Sequence, residues 1–177
     1  LIYSDRMIFE DLGIYSGLTE LAIAAGLGAL IGLERELAGK DPSIRTFTLI
    51  SIGSCLFSLM SVYSAYGIPN AEPSRIAAQI VPGIGFLGAG AIFRSPRGVS
   101  GLTTAALMWV TAAIGMAVGF GQINMATAAT VLALALTISF KFLHRLIRYF
   151  RPDSGMAREE FINCLLYTSP SPRDTNE

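Results

Sequence analysis

The chain has 177 residues, of which 52% are hydrophobic and 15% are charged, whereas about 25% charged residues is usual for soluble domains. Its formal net charge is zero, which does not indicate a nucleic-acid partner. Charged residues gather near 34–45, 94–97 and 141–160, and long charge-free runs lie between them. This distribution is typical of membrane spans separated by loops, and it predicts an integral membrane protein rather than a soluble enzyme.

Five membrane-spanning helices are predicted in chain order, at roughly 18–33, 46–66, 76–93, 102–120 and 125–140. The third and fifth are slightly shorter than the ~20 residues that a span needs. Because the runs are continuously apolar, they favour helices over the alternating strands of a barrel. Short loops imply antiparallel neighbours. The predicted fold is therefore all-α, a polytopic transmembrane helix bundle.

Basic residues predict the orientation of this bundle. They cluster after the first, third and fifth spans, at 35–45, 94–97 and 141–151, while the loops on the other side carry only Arg75. By the positive-inside rule, the N-terminus lies outside and the C-terminus in the cytoplasm. We expect an extracytoplasmic segment at 1–16, a transmembrane domain at 17–150 and a cytoplasmic tail at 151–177.

The chain ends show two departures from this pattern. Residues 164–177, rich in Ser, Pro and Thr, are predicted to be disordered. They also resemble translated sequencing-adapter read-through and are expected to be non-native; if so, the natural protein continues beyond about Asn163. Met7 is a plausible true start.

Two GxxxG motifs predict close helix packing, because small residues let helix backbones approach each other in lipid. Gly28 and Gly32 form the first motif, in span one, and Gly115 and Gly119 form the second, in span four. Two such faces exceed what one small bundle needs, so a homo-oligomer is a further expectation.

Span three combines Pro82 with four glycines, Gly83, Gly85, Gly88 and Gly90. Proline removes a backbone donor, so we expect a kink or break near mid-membrane. Two interpretations stay open. The glycines could pack closely against a neighbouring helix, or the freed carbonyls could face a cavity, as in transporters with broken helices.

Two polar groups are candidate functional sites. Glu34, Arg35 and Glu36 end span one, close to Arg45 and Thr46 at the start of span two. If these spans pair antiparallel, Glu34 or Glu36 can reach Arg45. Either the ion pair fixes the hairpin at headgroup level, or the cluster forms a polar vestibule that binds a cation or a partner protein.

The second polar group is Arg75 and Gln79, spaced i, i+4 at the outer end of span three. Their face is predicted to continue through Pro82 and Phe86. Gln79 lies deeper and needs a hydrogen-bond partner. The candidates are span-four threonines, Thr103, Thr104 and Thr111.

Catalytic chemistry is not indicated. His144 is the single histidine, and the sequence shows no Ser/His/Asp set and no zinc spacing. Cys55 lies in an apolar run and is expected to be a small packing residue. We predict that the protein is not an enzyme and has no cofactor; metal ligands stay unassigned.

Four segments taken together resemble the MgtC/SapB family of bacterial inner-membrane proteins, over about residues 17–145. They are GALIGLERE (28–36), IRTFTLISIG (44–53), SRIAAQIVPGIGFLGAGAIFR (74–94) and GLTTAALMWVTAAIGMAVG (101–119). The resemblance makes Glu34, Arg35, Glu36, Arg45, Thr46, Arg75 and Gln79 the characteristic polar residues. Pro82 departs from it, since a small polar residue such as Ser is expected there. Some relatives add a soluble ACT-like domain, and this chain stops before one could form.

The resemblance implies a multi-pass protein of the bacterial inner membrane with a role in magnesium limitation, stress adaptation and, in pathogens, intracellular survival. It also implies a partner, the F-type ATP synthase, besides membrane lipid. The first hypothesis is a regulatory protein that binds another membrane complex. The alternative is a cation (Mg²⁺) transporter or channel, against which stand the lack of a mid-membrane carboxylate and an odd number of spans.

Overall fold

The computed structural model describes residues 2–40, 42–66, 68–95 and 98–150. In this part of the chain five α-helices and one short hairpin follow each other. They are α1 (Ile2–Leu37), α2 (Ile44–Ala65), a 3-10 turn (Ala77–Gln79), α3 (Ile80–Gly90), β1 (Phe93–Ser95), β2 (Gly98–Ser100), α4 (Leu102–Gly119) and α5 (Ile123–Phe150). The predicted all-α membrane bundle is confirmed.

Four helical segments of the described chain are long and apolar enough to cross a membrane: Gly17–Leu37, Ile44–Ala65, Leu102–Gly119 and Ile123–Leu143. The third predicted span is shorter than expected. Its apolar helix covers Ala77–Gly90, and at 1.5 Å per residue α3 itself rises only ~16 Å, against ~30 Å for the hydrocarbon core. The helix ends at Gly90 because the chain turns into the hairpin at Phe93.

The bundle is organised around α2, which packs between α1 and α4. A Cβ on Gly28 of α1 would lie 2.6 Å from the Cβ of Ser51, and one on Gly32 would lie 2.5 Å from the Cα of Ile44. Since Gly32 meets the start of α2 and Gly28 a later turn, the two helices are antiparallel. The first GxxxG motif therefore packs against α2 of the same chain.

The second GxxxG motif contacts the other side of α2. A Cβ on Gly115 would overlap the backbone carbonyl of Ser51, and one on Gly119 would lie 2.5 Å from the carbonyl oxygen of Cys55. The later glycine of α4 meets the later residue of α2, so the two helices run parallel. Because both motifs are used within the bundle, they no longer support the predicted homo-oligomer, which stays an untested expectation.

The sequence context of Pro82 predicted a kink or break near mid-membrane, and this prediction is wrong. Pro82 occupies the first turn of α3, which begins at Ile80 directly after the 3-10 turn. The first backbone N–H groups of an α-helix have no partner within the helix, so proline is tolerated there. The irregularity lies instead where the 3-10 turn passes into α3, between Gln79 and Ile80.

The connection from α3 to α4 is an antiparallel hairpin, which the sequence did not predict. Phe93 pairs with Ser100, and Arg94 pairs with Val99. Gly101, the residue before α4, has φ +89°, and a Cβ there would overlap the carbonyl group of Ala91. Only glycine fits both the left-handed conformation and this close approach.

The chain divides into two compact units, Leu1–Leu136 and Thr137–Glu177. In the first unit, α5 contributes the buried Ala126 and Thr130. The described part of the second unit is helical, up to Phe150. The predicted tail at 151–177 lies outside the described residues, while α1 runs from Ile2 through the predicted N-terminal segment. The domain boundaries and the orientation stay predictions.

Candidate functional site

Arg35 and Glu34 are buried where α1 ends beside the first turn of α4. The two side chains are 7% and 8% exposed. Arg35 Nη2 donates a hydrogen bond to Thr104 Oγ1 at 3.4 Å, and Arg35 Nη1 lies 3.9 Å from Glu34 Oε2. Buried charges in a membrane protein are costly unless they are paired. The Arg35–Thr104 hydrogen bond therefore joins α1 to α4, and the Arg35–Glu34 pair is buried at this contact rather than open to solvent.

Thr104 has a different partner from the one predicted. The sequence offered it, with Thr103 and Thr111, as a partner for Gln79. Thr104 instead accepts from Arg35, Thr111 donates to the carbonyl of Leu107, and Thr103 is exposed. All three lie on α4, whereas Gln79 faces α2.

Glu36 supports the start of α2. Its Oε2 accepts a hydrogen bond from the backbone N–H of Ile44 at 3.3 Å. The side chain of Ser43, the residue before the helix, makes no capping hydrogen bond. A carboxylate is also favourable near the positive end of a helix dipole. Arg45 is exposed, and no ion pair joins it to Glu34 or Glu36 among the described residues. The predicted ion pair with Arg45 is not present among the described residues; the contact between the two helices that Glu36 makes is with the backbone N–H of Ile44.

A groove of about 630 Å³ separates α2 from α3. On α2 its wall runs from Thr46 to Phe57, which is ~16 Å at 1.5 Å per residue. The wall is almost entirely apolar. It is formed by Thr46, Leu49, Ile50, Gly53, Ser54 and Phe57 of α2, and by Ile76, Gln79, Ile80, Gly83, Ile84 and Leu87 of the 3-10 turn and α3.

Ser61 of α2 contacts the segment that leads into α3. Its buried hydroxyl accepts the backbone N–H groups of Ile76 and Ala77, at 3.1 and 3.2 Å. These groups begin the 3-10 turn, so Ser61 attaches that turn to α2. Sequence reasoning missed Ser61. The available signal was the series Ser51, Ser54, Ser58 and Ser61, whose 3-4-3 spacing places four small polar residues on one helix face.

Thr46 and Gln79 are the two predicted polar residues that the structure brings to one site, on opposite walls of the groove. Gln79 is exposed there. Arg75, also exposed, immediately precedes the wall residue Ile76. The predicted polar face does not continue as expected, because Phe86 lies outside the groove wall and is 81% exposed.

The glycines of span three do not pack as one set. Gly88 approaches α4, since a Cβ there would lie 3.7 Å from the Cβ of Ala105. A Cβ on Gly83, Gly85 or Gly90 would meet no atom within 4 Å, and neither would one on Gly53 across the groove. Glycines on both walls thus leave room for the close approach of another helix.

Metal coordination has no counterpart in the described residues, where no three His, Cys, Asp or Glu side chains group together. In the same part of the chain, Arg35 and Glu36 bond to neighbouring helices. The feature left open is the lateral groove, whose shape and lining suit an apolar, elongated occupant.

Comparisons with known proteins give a consistent result. The model of the MgtC family matches residues 21–146. Protein SapB of Bacillus subtilis (strain 168) is 40% identical over 142 residues, which cover 77% of this chain and 60% of SapB. Protein MgtC of Salmonella paratyphi A is 40% identical over 153 residues, covering 86% and 64%.

A further relative is YhiD of Escherichia coli (strain K12), named provisionally as a magnesium transporter. It is 44% identical over 119 residues, covering 64% of this chain and 55% of YhiD. The chain thus spans less than two thirds of the length of these relatives. No solved structure matches it. The family model and the identities over most of the chain show that it belongs to the MgtC family of membrane proteins.

Proposed function

We propose that this chain is a regulatory protein of the bacterial inner membrane that serves adaptation to magnesium limitation or other stress by binding other membrane complexes, the F-type ATP synthase among them. The observation that supports this proposal is the groove between α2 and α3. It is apolar, elongated and open at the side, and its glycines Gly53 and Gly83 have no neighbour within 4 Å of a Cβ.

The occupant that fits this groove is one membrane-spanning helix of the partner. In lipid, helices associate through close packing rather than through the hydrophobic effect, and small residues on the contact face favour it. The groove length of ~16 Å corresponds to about three helical turns. The same kind of Gly-lined contact already joins α1 and α4 to α2, so the groove offers α2 one more packing face.

Photo-crosslinking in bacterial membranes tests this proposal with a closely matched pair of positions. Phe57 lines the groove and Trp109 lies on α4 outside it, yet each aromatic side chain is 56% exposed. We expect benzoylphenylalanine at Phe57, but not at Trp109, to form an adduct with a subunit of the ATP synthase. Equal adducts from both positions would contradict docking in the groove.

A blocking variant separates docking from folding. Gly53→Leu fills the groove without meeting an atom near its Cβ, and Gly26→Leu on α1 makes the same change at an equally open position outside the groove. We expect Gly53→Leu to remove the adduct while Gly26→Leu keeps it, and both to reach the membrane in normal amounts. If Gly53→Leu keeps the adduct, the groove is not the docking site.

The alternative, a cation transporter, is favoured by the name of the relative YhiD. Purified chain in liposomes that enclose a Mg²⁺-sensitive dye distinguishes the two functions. The regulatory proposal predicts no flux above that of protein-free liposomes. Mg²⁺ flux that falls in Gln79→Leu would support transport and contradict a purely regulatory role.

A further inference from the structure

The groove wall includes three polar side chains, Thr46, Ser54 and Gln79. The amide of Gln79 is the one that an apolar occupant would leave without a hydrogen-bond partner. We propose that the partner helix presents a carboxamide or carboxylate side chain to Gln79. This inference rests on the proposed function, since it specifies the chemistry of the helix that docks between α2 and α3.

Gln79 is the only amide among the wall residues of the groove; Ile76 and Ile80 line the same wall, and Phe57 lines the opposite wall on α2. In the described part of the chain its side chain forms no hydrogen bond. Ser61, which lies four residues or ~6 Å before the end of α2, holds the 3-10 turn at Ile76 and Ala77, and Gln79 is the last residue of that turn. A primary amide that faces hydrocarbon is costly unless another group bonds to it.

The unsatisfied amide indicates which occupant the groove takes. A lipid acyl chain has no hydrogen-bonding group. The backbone groups of a transmembrane helix are already bonded within that helix. A partner therefore satisfies Gln79 through a side chain, and a carboxamide or carboxylate offers the acceptor oxygen that the amide N–H groups need.

A carboxylate has an additional complement in Arg75. This residue is exposed and immediately precedes the wall residue Ile76. Glu72, the nearest acidic residue in sequence, accepts a hydrogen bond from Ser74, and no ion pair joins it to Arg75 among the described residues. A carboxylate on the partner could thus accept from Gln79 and lie close to the guanidinium. A carboxamide would use Gln79 alone.

Synthetic transmembrane peptides test this chemistry. Three Leu/Ala peptides differ at one position, which carries Asn, Asp or Leu at the depth of Gln79. Energy transfer measures their binding to the full chain in phosphatidylcholine vesicles. We expect the Asn and Asp peptides to bind on the order of fivefold more tightly than the Leu peptide. Gln79→Leu should remove the preference for Asn, and Arg75→Ala should weaken binding of the Asp peptide only.

The outcomes separate this inference from the proposed function. If all three peptides bind wild type equally, or if Gln79→Leu keeps the preference, the polar contact is wrong. Loss of Leu-peptide binding in Gly53→Leu but not in Gly26→Leu would then still support docking in the groove. If differently labelled copies of the chain associate through Gln79 instead, the occupant is a second copy, and the heterologous partner is refuted.

Discussion

Replacing Gly115 by alanine isolates the contact between α4 and α2. A Cβ there would lie 2.9 Å from both the Cα and the carbonyl carbon of Ser51 and would overlap its carbonyl oxygen. All three are backbone atoms that cannot rotate away, so the helices must separate by ~1 Å to restore ordinary contact. A gap of that size removes a quarter to a half of the dispersion attraction between facing atoms.

The matched control is Gly26→Ala on α1, where a Cβ meets no atom within 4 Å. Both variants gain about 1 kcal/mol of helix propensity, so their difference isolates the overpacking at Gly115. We expect Gly115→Ala to be less stable than Gly26→Ala by about 1–3 kcal/mol.

The assay is the free energy of unfolding in mixed micelles, from an SDS titration followed by far-UV circular dichroism. A Gly115→Ala variant as stable as Gly26→Ala would refute the close contact between α2 and α4.

Three further substitutions test the polar contacts between helices. Thr104→Val removes the acceptor for Arg35 at nearly constant size and should cost about 1.5–3 kcal/mol, whereas the exposed Thr103→Val should leave the SDS midpoint unchanged. Ser61→Ala deprives two N–H groups of the 3-10 turn of their acceptor, so hydrogen exchange should accelerate at those amides; unchanged protection would contradict the contact. Glu36→Ala should lower stability by about 0.3–1 kcal/mol, and less in high salt; a loss that salt does not reduce would exclude a charge effect.

Several features of the fold could be predicted from sequence because they depend on neighbouring residues alone. Charge-free apolar runs predicted the membrane helices, and the GxxxG spacing predicted which faces of α1 and α4 pack closely. The spacing could not predict the partner. The presence of two GxxxG motifs suggested that one of them packs against a second copy of the chain. In the structure, Gly28 of the first motif and Gly115 of the second both contact Ser51 of α2.

The errors concern positions where rotation or register between helices decides the outcome. Proline is disfavoured inside a helix, which is the basis of the break predicted at Pro82. However, α3 begins at Ile80, so Pro82 lies in the first turn, where proline is tolerated. Gln79 was expected to face α4 and faces α2 instead. Thr104 was expected to meet Gln79 and meets Arg35. A shift of one residue turns a helix by about 100°, which is enough to change the neighbour of each side chain.

The amino-acid sequence by itself determined that this protein resides in the membrane, that it is helical, and that it resembles the MgtC/SapB family. These properties follow from hydropathy, short-range periodicity and motif order. Only the tertiary structure decided that Arg35 and Glu34 are buried in a contact between helices, and that Gln79 lies in an open groove beside two unpacked glycines. The physical reason is that helix–helix register depends on contacts between residues distant in the chain.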